Sequence, residues 1–280
     1  MANNIIIALG AFFFAHAAAI LSKRPLDFHF PIIAFLYVYA MHVLNLFLDK
    51  GASAYNDPER AAFLNKHKRL LVLTGIGAVA ATLVISYGIG LTTFLSLCGL
   101  SFLGIAYSLP FIPERVQHKY SYIKIKDIPC SRSLGESLAW GAVIAILPLL
   151  EMDRIYWPAA AISIITVFSM GYVRAILFDI FQVQGDLIVG SETLPITLGE
   201  KKTLTFVKLI LIVTAFILAA GPLLGLVSSF SYIILLPLLM LSFCLKAYEK
   251  RLLYPSIRLE ALVESSFFLA GFLALMWQAF

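Results

Sequence analysis

The chain consists of long apolar stretches that are separated by shorter polar segments. Nine of these stretches approach the roughly 20 mostly apolar residues that an α-helix needs to cross a bilayer. Connections as short as residues 88–90 join neighbouring stretches into helical hairpins. We therefore predict an all-α, polytopic membrane protein with about nine transmembrane helices around a central cavity. The predicted spans cover residues 5–22, 28–48, 70–88, 91–109, 134–150, 156–178, 203–223, 230–247 and 259–279.

The composition supports the same class of protein. Hydrophobic residues make up 61% of the 280 positions, and charged residues make up only 13%. A soluble domain would have roughly half apolar and a quarter charged residues. The composition therefore excludes a soluble globular protein, and the aromatic content of 13% excludes a disordered one. Because no linker rich in proline, glycine or serine divides the chain, we predict a single transmembrane domain over residues 1–280.

Polar residues that could carry chemistry concentrate at the ends of spans 2 and 6. The first acidic cluster comprises Asn45, Asp49 and Asp57, and the second comprises Asp179, Gln182 and Asp186. Each cluster is followed by a polar, partly basic loop and then by another hairpin. This layout predicts two four-helix units, spans 2–5 and 6–9, with span 1 as an extra helix. Two matching units that each donate acids indicate a single central site between them.

The lysine and arginine residues predict the orientation in the membrane. Sixteen lie in the loops that follow spans 2, 4, 6 and 8, and three (Lys23, Arg24 and Arg154) lie on the opposite side. Such residues favour the cytoplasmic side. We therefore expect the N-terminus and both acidic clusters to be cytoplasmic and the C-terminus to be outside. The net charge of +5 then reflects topology, and no nucleic-acid partner is expected.

The spacing within the acidic clusters predicts a metal site. Asn45 and Asp49 are four residues apart, so they share one helical face. Asp179 and Asp186 are separated by seven residues, again on one face over two turns. Ligands that are all oxygen, without His or Cys, favour Mg²⁺, which takes one or two carboxylates and completes its coordination with water and substrate phosphate. The clusters thus predict Mg²⁺ ions around a diphosphate.

A plainer interpretation of these acids is that they cap helix ends at the membrane interface, where charge is tolerated. That interpretation suits any one of the acids alone. It explains less well why two separated clusters stand at equivalent positions of the two units, so we favour a shared site.

The same segments resemble the UbiA superfamily of intramembrane prenyltransferases. The first motif of that superfamily is matched by NLFLDKGASAYNDPER, residues 45–60. The second is matched by DIFQVQGD at 179–186 and by GSETLPITLG at 190–199. The AYS ending of span 4, which contains Tyr107, and the segment from Lys126 to Arg132 before span 5 are also similar to members of the superfamily. The resemblance covers nearly the whole chain.

The resemblance implies a Mg²⁺-dependent enzyme that moves a prenyl group from a polyprenyl diphosphate to an aromatic or other lipid-precursor acceptor. The prenyl tail would lie between helices and among membrane lipid, with its head at the cytoplasmic face. The implied catalytic residues are Asp49, Asp179 and Asp186. The implied Mg²⁺ ligands are Asn45, Asp49, Asp57, Asp179 and Asp186. The implied diphosphate-binding residues are Asn45, Lys124, Lys126, Arg132, Arg174 and Tyr107.

Three positions depart from the pattern of the superfamily. Leu46 and Gln182 stand where many members carry an acid, and Phe111 stands where many carry a lysine. These departures favour an alternative, a non-catalytic or transport-type protein of the same fold that binds an isoprenoid or a cation. The outer acids of the second cluster remain, and for that reason an active enzyme is the preferred prediction.

Two further ionisable residues lie close to the predicted site. His42 precedes Asn45 by three residues on the same face. It is expected either to face the cavity or, more simply, to make a hydrogen bond between helices. Glu136, near the start of span 5, is expected either to be a favourable charge at a helix N-terminus, which is the preferred interpretation, or to be an acid of the cavity.

Overall fold

The computed structural model describes residues 2–48, 58–109, 125, 128 and 130–279, with only the backbone described at 2–3, 45–48 and 58–60. Several predicted site residues therefore lie outside the described residues, either entirely or in their side chains. These residues are Asp49, Asp57, Phe111, Lys124 and Lys126, together with the side chains of Asn45 and Leu46.

The described part of the chain is entirely helical, without a β-strand, which confirms the predicted fold class. Its helices are α1 Ala2–Leu21, α2 His29–Leu48, α3 Pro58–Lys66, α4 Lys68–Ile89, α5 Leu91–Ser108, α6 Ser131–Trp140, α7 Trp157–Phe181, α8 Val183–Val189, α9 Leu194–Leu198, α10 Glu200–Leu223, α11 Phe230–Ile233, α12 Leu235–Glu249 and α13 Ile257–Ala279.

Within the residues that the structure describes, seven segments are long and apolar enough to cross a membrane. They correspond to predicted spans 1, 3, 4 and 6–9, and the apolar part of α2, His29–Leu44, is a shorter helix at span 2. These helices identify the protein as an integral membrane protein. The count of nine remains a prediction, because the fifth span is not one regular helix.

The fifth span changes its helical form twice. α6 ends at Trp140 and passes into a wider π-helical segment, Gly141–Ile146, and then into a short 3-10 turn, Leu147–Leu149. Pro148 lies within that turn, and a proline has no N–H to continue an α-helical ladder. Segments of π-helix are often found next to functional sites. Here the segment directly follows the part of the span that faces the second acidic cluster.

The helix packing follows the two predicted groups only in part, because the fifth span packs most extensively on α7 of the second group. In the first group α2 packs on α4, α4 packs on α5, and the fifth span contacts α2 and α5. In the second group α7 packs on α10, α10 on α12 and α12 on α13. α1 packs along both α2 and α13, so it joins the two groups. The interface between the groups is therefore where α6 of the first meets α7 of the second.

The contact between α1 and α13 depends on a glycine. A Cβ atom at Gly271 would lie closer to the backbone carbonyl of Phe13 than van der Waals contact permits. We expect Gly271→Ala to push the two helices apart and to lower the free energy of unfolding by about 1–3 kcal/mol, as overpacking usually does. Thermal or denaturant unfolding in detergent micelles measures this change.

Gly77 provides the matched control for that substitution. It also lies within a membrane helix, but a Cβ atom there would come within 4 Å of no neighbouring helix in the described part of the chain. Gly77→Ala should leave stability unchanged or raise it slightly, because alanine is the better helix former. Equal effects of the two substitutions would contradict the close approach of α1 and α13.

Candidate functional site

The second acidic cluster lies at the end of a long membrane helix. α7 ends at Phe181, α8 begins at Val183, and the chain bends between them at Gln182. Asp179 and Asp186 therefore belong to different helices, whereas the sequence predicts a single helix over this segment. Both residues are buried, with 4% and 0% of their surface exposed. Their predicted common direction is retained, because both carboxylates meet the same cation.

That cation is Arg132 of α6. Its Nη1 atom is 3.2 Å from Oδ1 of Asp186, and its Nε atom is 3.8 Å from Oδ1 of Asp179. The guanidinium therefore bridges the two carboxylates, and 40% of the Arg132 side chain is exposed. Two buried carboxylates thus face one partly exposed cation across the interface between the two helix groups.

Local backbone contacts hold α6 and α8 in this arrangement. Gly190 ends α8 with a φ of 71°, a conformation that glycine adopts without strain. The chain then turns so that the carbonyl of Glu192 accepts a hydrogen bond from the N–H of Cys130, at 3.3 Å. Since Cys130 directly precedes α6, this bond ties the loop after the acidic cluster to the helix that carries Arg132.

The two acids have the chemistry of a ligand set for a hard cation. Oδ2 of Asp179 is buried and accepts no hydrogen bond from the residues that the structure describes. A buried carboxylate oxygen without a donor carries an energetic cost that a bound cation would remove. Asp179 and Asp186 alone do not complete a site, and the described residues contain no cluster of three or more metal-ligating side chains. The acids of the first cluster, which would complete it, lie outside the described residues.

Tyr107 lies beside the first turn of α6. Its hydroxyl is 3.4 Å from Oγ of Ser131, and a Cβ atom at Gly135 would lie 3.3 Å from its ring. The tyrosine therefore packs against the face of α6 near Arg132. The role of Tyr107 in diphosphate binding stays a prediction.

The environment of Arg174 differs from the one expected for a residue that binds diphosphate. Its guanidinium is buried in the bundle and pairs with two carboxylates. Nη1 contacts Glu136 on α6, and Nη2 is 2.5 Å from Oε1 of Glu264 on α13. Its Cζ atom also lies 4.7 Å from the ring centre of Phe178. Because glutamates already engage the guanidinium, Arg174 is better placed to hold helices together than to bind a diphosphate.

His42, Glu136, Arg174 and Glu264 form an inner charge cluster, and sequence reasoning singled out the first three without predicting that they contact one another. Glu136 is not the helix N-terminal charge that was expected, because its carboxylate contacts Arg174 and lies 3.5 Å from Nε2 of His42. Glu264 was not singled out at all. The sequence did contain a signal for Glu264, because an acid inside an apolar span must find a partner. The identity of that partner, 90 residues away, was not available from spacing.

Comparison with known proteins gives a consistent result. The model of the UbiA prenyltransferase family matches residues 4–273 of the chain. A search of curated protein sequences gives no significant match.

Several solved structures share the fold. An apo UbiA homologue from Aeropyrum pernix K1 superposes with a TM-score of 0.69 at 13% identity, over 99% of both chains. A UbiA homologue from Archaeoglobus fulgidus bound to DMAPP and Mg²⁺ has a TM-score of 0.65 at 15% identity, over 98% of both chains. A digeranylgeranylglyceryl phosphate synthase has a TM-score of 0.53 at 17% identity, over 98% of this chain and 92% of that one. At these identities the likeness concerns the fold alone.

Proposed function

Because the chain belongs to the UbiA prenyltransferase family, we propose that it transfers a prenyl group from a polyprenyl diphosphate to an aromatic or other lipid-precursor acceptor within the membrane, with Mg²⁺ as cofactor. The observation that carries this proposal is the buried pair of Asp179 and Asp186 at the end of α7, which shares the guanidinium of Arg132. The Archaeoglobus fulgidus homologue that binds DMAPP and Mg²⁺ has the same fold, which supports the choice of ligands.

The residues that would hold Mg²⁺ are Asp179 and Asp186 on one side and Asn45, Asp49 and Asp57 on the other. When bound, the metal supplies positive charge that stabilises the departing diphosphate. The aspartates fix the position of the donor head group at the end of α7, with the prenyl chain between the apolar helices. All of these ligands offer oxygen atoms, which is the donor type that Mg²⁺ prefers.

Arg132 would bind the diphosphate directly. Its side chain bridges the two acids and is 40% exposed, so a diphosphate bound in front of the acids would lie against its guanidinium. A guanidinium offers several N–H groups in a fixed plane and suits phosphate oxygens. Lys124, Lys126 and Tyr107 are further proposed contacts, and stabilisation of charge on the leaving group is their proposed role.

The orientation is part of the proposal. The excess of lysine and arginine in the loops after the even-numbered spans favours a cytoplasmic N-terminus and a cytoplasmic active-site face. A hydrophilic diphosphate would then reach the site from the cytoplasm, while its prenyl chain enters the bilayer side of the bundle.

Metal removal tests the proposed activity. We expect the purified protein to release diphosphate from geranylgeranyl diphosphate when Mg²⁺ is present, because water can capture the prenyl group when no acceptor is supplied. EDTA should abolish release, and added Mg²⁺ should restore it. Separation of released ³²P-diphosphate from ³²P-labelled geranylgeranyl diphosphate measures the rate without a second Mg²⁺-dependent enzyme.

The outcome separates the enzyme from the non-catalytic alternative. Tight binding of geranylgeranyl diphosphate without release, in the presence of Mg²⁺ and of lipid extract as a source of acceptor, would show a binding or transport protein instead. Release that is unaffected by EDTA would contradict the role of the metal.

A further inference from the structure

The inner charge cluster has one closed side and one accessible side. Arg174 and Glu264 expose only 2% and 4% of their side chains. His42 and Glu136, in contrast, expose 25% and 27%. The cluster therefore has a partly exposed histidine and carboxylate on one side, and the two buried residues lie behind them.

The formal charges of the cluster do not balance without a further proton. One guanidinium faces two carboxylates, which leaves one negative charge among apolar side chains such as Trp140 and Phe178. An unbalanced charge within a membrane bundle is costly, and such groups usually mark pathways for ions or protons. A proton that arrives at the accessible side would remove this imbalance.

The accessible side lies about one helical turn deeper than the acidic clusters. Glu136 follows Arg132 by four residues in α6, and His42 precedes Asn45 by three in α2. At 1.5 Å of rise per residue, these spacings amount to roughly 5–6 Å along the helices. The reacting carbon of a prenyl diphosphate directly adjoins its diphosphate, so it would lie at about this depth if the head group binds at Asp179 and Asp186.

The pair also has the geometry of an oriented base. Nε2 of His42 faces the carboxylate of Glu136 at 3.5 Å. A carboxylate beside one ring nitrogen favours the tautomer with hydrogen on that nitrogen and leaves the other nitrogen as a proton acceptor. Arg174 of α7 also contacts this carboxylate, so Glu136 of α6 is held beside Nε2 of His42 by its ion pair.

We propose that His42, oriented by Glu136, accepts the proton that the acceptor loses when it captures the prenyl group. The inference rests on the proposed function and adds a residue to it. The C1–O bond of the donor breaks, and its electron pair leaves with the diphosphate. The oxygen or ring carbon of the acceptor supplies the electron pair of the new bond to C1, and its proton passes to Nδ1 of His42. Glu136 and Arg174 are positioning residues in this step.

Isotope exchange separates capture of the prenyl group from cleavage of the donor. Geranylgeranyl diphosphate labelled with ¹⁸O in the oxygen that joins C1 to phosphorus loses the label from that position whenever the bond breaks and re-forms. Conversion to geranylgeraniol reports capture by water, which also loses a proton. For His42→Gln we expect the rate of Mg²⁺-dependent ¹⁸O exchange to stay within about threefold of wild type. The rate of geranylgeraniol formation, divided by that exchange rate, should fall about 100-fold, as for loss of a general base.

Two further measurements distinguish the proton acceptor from a structural residue. Imidazole added to His42→Ala should restore formation of the alcohol, because the side chain that it replaces is partly exposed. A packing defect would not respond. His29→Gln is the matched control, since His29 lies on the same helix at its other end with 70% of its side chain exposed. It should behave as wild type in both measurements.

The possible failures have separate meanings. An unchanged ratio in His42→Gln, or loss of exchange together with the alcohol, would overturn the assignment of His42 but leave the proposed enzyme intact. Absence of both exchange and alcohol in the wild type, with Mg²⁺ present, would overturn the proposed function and this inference with it.

Discussion

Replacement of Asp179 by asparagine is expected to reduce Mg²⁺-dependent diphosphate release about a thousandfold without unfolding the protein. The proposed role of this carboxylate is to hold the metal at the diphosphate, and loss of one such group from an active site costs on that order. Asparagine keeps the size of the side chain, so the packing at the end of α7 is preserved. Initial rates at saturating Mg²⁺ measure the loss.

The same substitution should leave stability unchanged or raise it. Asp179 and Asp186 are buried beside each other and share one arginine, so removal of one negative charge relieves repulsion. An increase in stability with loss of activity is typical of residues that are held in place for function. Asp153, an exposed acid in the loop between the fifth span and α7, provides the control. Activity of Asp179→Asn within tenfold of wild type, with Asp153→Asn unchanged, would exclude Asp179 as an essential ligand.

Replacement of Arg174 by methionine is expected to lower the free energy of unfolding by about 3–5 kcal/mol, the usual cost of removing one partner from a buried ion pair. Methionine fills much of the same volume between Trp140 and Phe178 but leaves Glu136 and Glu264 without their cation. Denaturant unfolding in detergent micelles, followed by tryptophan fluorescence, measures the loss.

Two comparisons show whether charge is the cause. Lys208→Met removes an ion pair with Glu249 in which both side chains are 39% exposed, and it should cost less than about 1 kcal/mol. Arg174→Met combined with Glu136→Gln and Glu264→Gln should recover most of the lost stability, because no uncompensated carboxylate remains. A triple variant no more stable than Arg174→Met would show that packing of the guanidinium, and not its charge, matters at this position.

The second acidic cluster illustrates how far spacing alone can predict a site. Asp179 and Asp186 were placed at the end of the sixth span and directed to one face, and the structure brings both to Arg132. The bend at Gln182 was not predicted, because Val183, Gln184 and the residues that follow are compatible with a continuous helix. Local periodicity is sufficient to place residues on a face but does not report where a helix turns to meet its neighbour.

The inner charge cluster shows the opposite case. Arg174 was expected to bind the diphosphate. Its actual partners come from α6 and α13, 38 and 90 residues away in the chain. Which apolar helix carries an acid to the same depth depends on how the helices pack, and that information is spread over all of their surfaces.

The sequence by itself determined that this is a helical membrane protein with paired acidic clusters, because long apolar stretches and unusual charges within them are properties that a chain shows locally. Its motifs were sufficient to indicate the family. Only the tertiary structure decided which cation faces the acids and that the fifth span changes its helical form after Trp140. It also decided that His42 and Glu136 lie next to each other at the depth of the proposed chemistry. Those features depend on contacts between segments far apart in the chain. An unpaired charge in an apolar interior is costly, and helix packing decides which residue becomes its partner.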